Sequence, residues 1–149
     1  MDTGLAITSF KYDNEEMWFE FVLKCTQLVS VNSMYSPGRH GMFKTPQTVR
    51  FENELKDQII LCDPVRHCPW IIPGMMFKVH FNFILKNNFW KRDTSNMVKS
   101  PEDVIFRALG INDSRVIEHH DTKSYLPGDY EYLIARISKS NFNPYYFKQ

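Results

Sequence analysis

The densest group of side chains that could carry out chemistry lies in residues 91–115, KRDTSNMVKSPEDVIFRALGINDSR. Asp93 is predicted to lie at the end of a strong strand, and Asn96 and Lys99 follow at three-residue spacing. Asp103 lies four residues beyond Lys99. Residues three and four apart share one face of a helix, so this spacing predicts that these polar side chains lie together if the segment is helical.

A further carboxylate, Asp113, follows the helix pattern in a turn before the next strand. If the helix packs back on a sheet, Asp93 and Asp113 converge near its ends. Carboxylates at one point repel each other unless a cation holds them, and Mg²⁺ prefers such hard oxygen ligands. A bound Mg²⁺ can activate water and stabilise the charge of a phosphoryl transition state. A nearby lysine could bind the scissile phosphate, orient water or neutralise the leaving group.

This pattern resembles the RusA family of Holliday junction resolvases and its phage relatives. The central match comprises Arg92-Asp93-x-x-Asn96-x-x-Lys99, Glu102-Asp103, Leu109-Gly110-Ile111-Asn112-Asp113-Ser114 and Val116-Ile117. Weaker matches lie upstream and downstream: Val31-Asn32-Ser33-Met34-Tyr35, Phe43-Lys44-Thr45 and Lys123. The resemblance spans residues 18–137, and residue types, spacing and structural context agree in its central part.

The resemblance implies a homodimeric endonuclease with two active sites and Mg²⁺ or Mn²⁺ as cofactor. It also implies selective binding of branched DNA, namely four-way junctions, and paired phosphodiester cuts near the crossover. On this chain, Asp93 and Asp113 would be metal ligands and Lys99 the catalytic lysine. Asn96 would shape the metal site, and Arg92 would contact a phosphate.

The chain departs from the family pattern at one position. The best-known members carry another Asp two residues after the first, where this chain has Ser95. Asp103, or less favourably Glu102, could supply the missing charge. The alternative is a catalytically weak protein of the same fold that binds junctions. A remoter alternative is a structural phage protein that reuses the fold.

The charge distribution favours a nucleic-acid surface more than the net charge of +1 does. Residues 36–51 contain no acid, and residues 86–99 contain one acid among four basic residues. Two such segments could form one patch on a nearly neutral protein. The predicted DNA contacts, which include the family-like loop, are Arg92, Arg39, His40, Lys44, Asn32 and Tyr35.

Other chemistry is less favoured. Cys62, His67 and Cys68 lack the spacing and the fourth ligand of a zinc site. In residues 118–121, strand alternation allows only Glu118 with His120, or His119 with Asp121, to converge, and a polar strand face is the preferred interpretation. Three cysteines without CxxC, no signal-peptide pattern and no membrane-length apolar run predict a cytoplasmic protein with no membrane partner.

The elements that must position these residues form a single domain over residues 1–149. Helices are predicted from Thr45-Pro46 and from Ser100-Pro101, the second one stopping at Gly110. Loops are predicted over residues 31–42 and 63–73, and an irregular arm or edge strand at the start. Strands are predicted over residues 18–24, 75–86, 115–123 and 131–139. This order predicts an α+β fold, a mixed β-sheet with helices packed on one face, RusA-like and dimeric.

Overall fold

The computed structural model describes residues 9–146 of the chain. Its sheet strands are β1 (Ser9–Asp13), β2 (Trp18–Cys25), β5 (Phe77–Leu85), β6 (Val116–Tyr125) and β7 (Glu131–Lys139), and a separate hairpin comprises β3 (Tyr35–Gly38) and β4 (Gly41–Lys44). The helices are α1 (Pro46–Cys62), the short α2 (Pro64–His67) and α3 (Lys99–Leu109).

The main sheet has five strands in the order β1-β2-β7-β5-β6. β5 and β6 are parallel, and the other neighbouring strands are antiparallel. The sheet is therefore mixed, and the prediction of an α+β fold with a mixed sheet is confirmed. β6 and β7 follow each other in the chain, but β5 lies between them in the sheet. β6 is therefore an edge strand.

Alternation along β5 explains how the core forms. Phe77, Val79, Phe81, Phe83 and Leu85 are all fully buried, whereas the residues between them are exposed or half-buried. Side chains of a strand point alternately to the two faces of the sheet, so one face of β5 is covered. β2 and β7 show the same alternation, and α1 packs against β2 while α3 packs against α1. This confirms the predicted strand and its buried face.

Both long helices begin and end close to the positions that the sequence predicts. The Thr45 side chain accepts a hydrogen bond from the backbone N–H of Thr48 at the start of α1, and Pro46 is the first helical residue. Thr45 thus gives a partner to one backbone N–H that the first helical turn leaves without one, and Pro46 has no N–H that needs a partner. α3 ends at Gly110, whose φ of 70° is a left-handed conformation that glycine adopts at low cost.

Several local predictions were wrong. Residues 31–42, predicted as a loop, contain most of the β3–β4 hairpin, and residues 63–73 include α2. Asp93 does not end a strand, because β5 stops at Leu85 and the 3₁₀ turn Phe89–Lys91 intervenes. By contrast, the predicted edge strand at the start of the chain is seen as β1; residues 1–8 of that prediction lie outside the described residues.

Among the helices of residues 9–146, none is long and apolar enough to cross a lipid bilayer.

Candidate active site

The first turn of α3 places an ammonium group beside carboxylates. Lys99 Nζ lies 3.1 Å from Asp103 Oδ1, one helical turn further on, which confirms the predicted proximity of these two residues. The hydrogen bond and charge of Asp103, together with the charges of Asp113 and Glu102, raise the pKa of Lys99 although burial opposes them. Lys99 is 57% exposed and Asp103 22% exposed, so this ion pair faces solvent, where a phosphate could reach it.

Asp113 lies on the same side of α3 as Asp103. The 3₁₀ turn Asp113–Arg115 connects α3 to β6, and a shallow surface cavity is lined by Asp103, Phe106, Arg107, Ile111, Asn112 and Asp113. Asn112 caps the turn by accepting a hydrogen bond from the Ser114 N–H. Asp103 and Asp113, two of the three predicted metal ligands, therefore line one surface cavity.

Glu102 joins this acidic surface from the side that faces the sheet. Burial raises the pKa of Glu102; the charge of His119 opposes this effect, and the charges of Asp113 and Asp103 reinforce it. A carboxylate disfavoured by neighbouring carboxylates is one that a cation would stabilise. Carboxylates are the ligand type that Mg²⁺ prefers, but within residues 9–146 Glu102, Asp103 and Asp113 are not grouped closely enough to hold a cation together.

Asp93 approaches β6 from the opposite end. The backbone oxygen of the preceding residue, Arg92, accepts a hydrogen bond from Lys123, which lies near the end of β6. Asp113 instead lies just before Val116, the first residue of β6. Val116 and Lys123 are seven positions apart, roughly 20 Å along a strand. Within residues 9–146, no group of three or more His, Cys, Asp or Glu side chains is arranged to hold a metal ion. The predicted convergence of Asp93 with Asp103 and Asp113 is therefore not seen.

Asn96 and Ser95 lie in a separate turn. The 3₁₀ turn Thr94–Asn96 follows Asp93, and the Asn96 N–H donates to the backbone oxygen of Asp93 at 3.1 Å. Because α3 begins only at Lys99, Asn96 and Lys99 do not share a helix, so the condition for their predicted common face is not met. Ser95 and Asp93 are exposed, and Asn96 is half-buried.

Arg92 is held inside the protein rather than presented to solvent. Its guanidinium donates to both carboxylate oxygens of Glu131, with Nη2–Oε1 at 2.7 Å, and to the backbone oxygen of Leu28 at 3.0 Å. Its side chain is only 16% exposed, and Glu131 is fully buried. This placement corrects the prediction of a phosphate contact, because the guanidinium donors are directed to internal acceptors.

The predicted DNA-binding loop lies next to the start of α3. Lys44, at the end of β4, pairs with Glu52 of α1 at 2.8 Å, and Glu52 in turn accepts a hydrogen bond from the Ser100 hydroxyl. This chain of contacts brings the β3–β4 hairpin close to Lys99. Four of the predicted DNA contacts on and before the hairpin are exposed: Asn32, Tyr35, Arg39 and His40. The Lys44 ammonium itself is engaged by Glu52.

The helix-facing side of β6 is polar. His119 Nδ1 lies 2.8 Å from Asp121 Oδ1, and its Nε2 lies 3.6 Å from Glu102 Oε1. The predicted alternation is confirmed, since His120 points to the other face and packs against His80 with ring centroids 4.7 Å apart. The two carboxylates contact opposite nitrogens of His119, an arrangement that orients the imidazole rather than forming a shared metal site.

Cys62 ends α1, His67 ends α2, and Cys68 follows α2. Cys68 is fully buried, and burial raises its pKa to about 11. The His67 ring packs against Phe10 and Tyr12.

One exposed aromatic residue near Asp93, Trp90, was not predicted as a site residue from the sequence. Trp90 is 87% exposed, its ring lies edge-on to Phe89 at 5.0 Å, and Tyr125 lines the same surface cavity. An exposed tryptophan beside Lys91 offers a flat surface for a nucleic-acid base. The sequence does indicate it, because Phe89 and Trp90 interrupt an otherwise polar turn.

Comparison of the chain with known protein families and with curated proteins found no match.

Proposed function

We propose that this protein is a Mg²⁺-dependent, structure-selective endonuclease that hydrolyses phosphodiesters in branched DNA such as four-way junctions, in recombination, repair or phage genome processing. The observation that carries the proposal is the contact between Lys99 and Asp103, with Asp113 on the same surface and the β3–β4 hairpin alongside. Hydrolysis of a phosphodiester needs anionic ligands for a cation and a cationic group for the phosphate, and this surface offers both.

Asp103 and Asp113 would hold the divalent cation, Mg²⁺ or Mn²⁺, with Glu102 beside them. When bound, such a cation supplies activated water and charge stabilisation. Lys99 would neutralise the charge that develops on the phosphate oxygens. Asp93 lies exposed at the other end of β6, where it does not reach a cation held by Asp103 and Asp113, and Asn96 lies in the same segment as Asp93.

The exposed residues of the hairpin would contact the DNA backbone. Arg39 lies in the turn between β3 and β4, and Tyr35 is 47% exposed. Phosphate contacts give affinity without sequence information, which suits an enzyme that recognises DNA shape. We propose a homodimer, because paired cuts at a four-way junction need two active sites, and a cytoplasmic location, in which the three free cysteines would remain reduced.

The direct test is incubation of a labelled four-way junction with the protein in Mg²⁺ and, separately, in a chelator. Linear duplex of the same sequence is the control substrate. Paired cuts confined to the junction and dependent on Mg²⁺ would support the proposal. Equal cutting of both DNAs, or cutting in chelator, would contradict it.

A second function, junction binding without cutting, is favoured by two features: Asp93 and Asp113 lie at opposite ends of β6, and the chain has Ser95 where the RusA pattern has an acid. This alternative predicts junction binding in chelator and no cuts in Mg²⁺. It also predicts that Ser95→Asp gains cutting activity. No gain in activity, with the unmodified chain already cutting, would dismiss the alternative.

A further inference from the structure

An open cavity lies where β5 and β6 end, and aromatic side chains form much of its wall. Its volume is about 570 Å³, and its lining comprises Asn87, Asn88, Phe89, Trp90, Lys91 and Tyr125. Trp90 is 87% exposed and Tyr125 is 58% exposed. Rings of this size bury a large apolar area when a ligand covers them, so their exposure side by side indicates a binding surface.

The half-buried ring of Phe89 supports both exposed rings. Trp90 meets the Phe89 ring edge-on with ring centroids 5.0 Å apart, and Tyr125 meets it at 6.4 Å. The Lys123 ammonium lies 4.7 Å from the centre of the Phe89 ring and donates to the Phe89 backbone oxygen at 2.7 Å. Because these contacts hold the rings before any ligand arrives, less conformational entropy is lost on binding.

The polar part of the lining suits a nucleotide better than a protein partner. Among the residues that the structure describes, the lining contains one cation, the exposed Lys91, and no acid or aliphatic side chain. Asn87 and Asn88 are exposed and offer amide donors and acceptors. A nucleotide supplies a flat base for the rings, a polar base edge for the amides and a phosphate for Lys91.

We propose that Trp90 and Tyr125 bind an unpaired base of a DNA strand, with Lys91 contacting the adjoining phosphate. The choice of DNA rests on the proposed function. Every base has a flat π-face, so stacking on aromatic side chains tolerates any sequence, but the base must lie outside the duplex stack. The substrate class that follows is branched DNA with unpaired nucleotides, rather than a fully paired junction.

This site lies apart from the carboxylates of the candidate active site. Tyr125 is the last residue of β6, whereas Asp113 lies just before Val116, the first residue of β6. Nine strand positions separate Val116 from Tyr125, roughly 30 Å. Substitutions at the rings therefore leave Asp103 and Asp113 unchanged.

The experiment measures binding of an end-labelled oligothymidylate of about 12 nucleotides by fluorescence anisotropy, in chelator and at low salt. We expect Trp90→Ala to weaken binding about tenfold, the loss of one stacked base, and Trp90→Phe, which keeps an aromatic face, to retain most of the affinity. Phe142→Ala is the matched control, because Phe142 is 57% exposed in the segment that follows β7. Equal losses in Trp90→Ala and Phe142→Ala would overturn the proposal. The absence of binding by the unmodified chain would also overturn it and would favour a protein partner for the rings.

Tryptophan fluorescence tests the stacking directly, because a base stacked on an indole quenches its emission. Of the three tryptophans, Trp70 is 8% exposed, Trp18 is half-buried and Trp90 is 87% exposed. Oligothymidylate should quench the emission of the unmodified chain but not that of Trp90→Phe, although this variant still binds. Equal quenching in the two proteins would place the base elsewhere and contradict the proposal.

These measurements need neither Mg²⁺ nor cleavage. If the chain cuts junctions and Trp90→Ala binds oligothymidylate as tightly as the unmodified chain, the proposed function stands and this inference fails. If the chain cuts no branched DNA and Trp90→Ala loses oligothymidylate binding, the base-binding site stands and the proposed function fails. Tighter binding of oligouridylate than of oligothymidylate would assign the site to RNA and contradict the choice of DNA.

Discussion

Arg92 and Glu131, 39 positions apart in the chain, form an ion pair in which the guanidinium contacts both oxygens of a fully buried carboxylate. Glu131 also accepts hydrogen bonds from the backbone N–H groups of Leu28, at 2.8 Å, and Lys86, at 2.9 Å. A buried carboxylate is tolerated when charged and neutral donors surround it. This pair therefore joins the start of β7, the end of β5 and the segment that leads to Asp93.

We expect Glu131→Gln to lower the free energy of unfolding by roughly 3–5 kcal/mol, because it leaves the Arg92 guanidinium buried without a counter-charge. Urea unfolding followed by circular dichroism measures this value. Glu20→Gln is the comparison: its partners Arg136 and Lys11 are 42% and 63% exposed, so water can solvate them when the counter-charge is removed. Equal losses in the two variants would refute the structural importance assigned to Arg92 and Glu131.

The exposed hairpin arginine should make a phosphate contact. We expect Arg39→Gln to weaken junction binding and to reduce the slope of log affinity against log salt concentration by about 0.9, the value for one lost contact. Fluorescence anisotropy over a salt series gives both quantities. Arg66→Gln is the control, since exposed Arg66 lies beyond the far end of α1, roughly 25 Å of helix from the hairpin. A salt slope that Arg39→Gln leaves unchanged would remove the hairpin from the DNA-binding surface.

Trp90 should stack on an unpaired or distorted base. Trp90→Ala is expected to lower junction affinity by about 1–3 kcal/mol, the usual contribution of base–aromatic stacking, with a smaller effect on linear duplex. Competition binding with the two DNAs measures the difference. Tyr145→Ala provides the comparison, because Tyr145 is 76% exposed but lies in the C-terminal tail. Equal losses for junction and duplex would argue against stacking at a branch point.

His119 should make stability depend on pH. Burial lowers its pKa, but the hydrogen bond and charge of Asp121 and the charge of Glu102 outweigh burial, so that the pKa is raised above its ordinary value of 6.5. A raised pKa means that the folded state binds the proton more tightly, so the stabilisation is complete below pH 6.5 and is lost as pH rises through the folded-state pKa.

We therefore expect the difference in unfolding free energy between the unmodified chain and His119→Gln to be smaller at about pH 8.5 than at about pH 5.5. These two pH values lie on either side of the ordinary histidine pKa. Urea unfolding at the two pH values tests this. His120→Gln serves as the comparison, because His120 lies on the other face of β6. A difference that grows with pH would show that His119 is neutral in the folded protein.

Sequence patterns predicted the parts of this fold that local interactions determine. Alternation in β5, the Thr45 cap and the Gly110 stop are visible within a few neighbouring residues. The β3–β4 hairpin was missed because Pro37, Gly38 and Gly41 are typical of loops. Gly38 is needed there for space, since a Cβ atom would lie 2.7 Å from the Phe43 ring.

The candidate site was harder to predict because its geometry depends on contacts between distant residues. Lys99 and Asp103 are neighbours on one helix, so their four-residue spacing was enough to predict the contact between them. The partner of Arg92 lies on a distant strand, and no pattern near Arg92 indicates it. The same limit applies to Asp93, whose distance from Asp113 depends on which end of β6 each segment reaches.

Junction cleavage by Asp113→Asn tests the central claim most directly. Asp57→Asn is the matched control, because Asp57 is an exposed aspartate on α1 that belongs to no part of the site. With saturating junction in Mg²⁺, we expect Asp113→Asn to cut roughly 100-fold more slowly or not at all, since charge stabilisation by the cation contributes several kcal/mol. Junction binding in chelator should persist, and Asp57→Asn should cut normally. Cutting by Asp113→Asn at the rate of the unmodified chain would contradict the account.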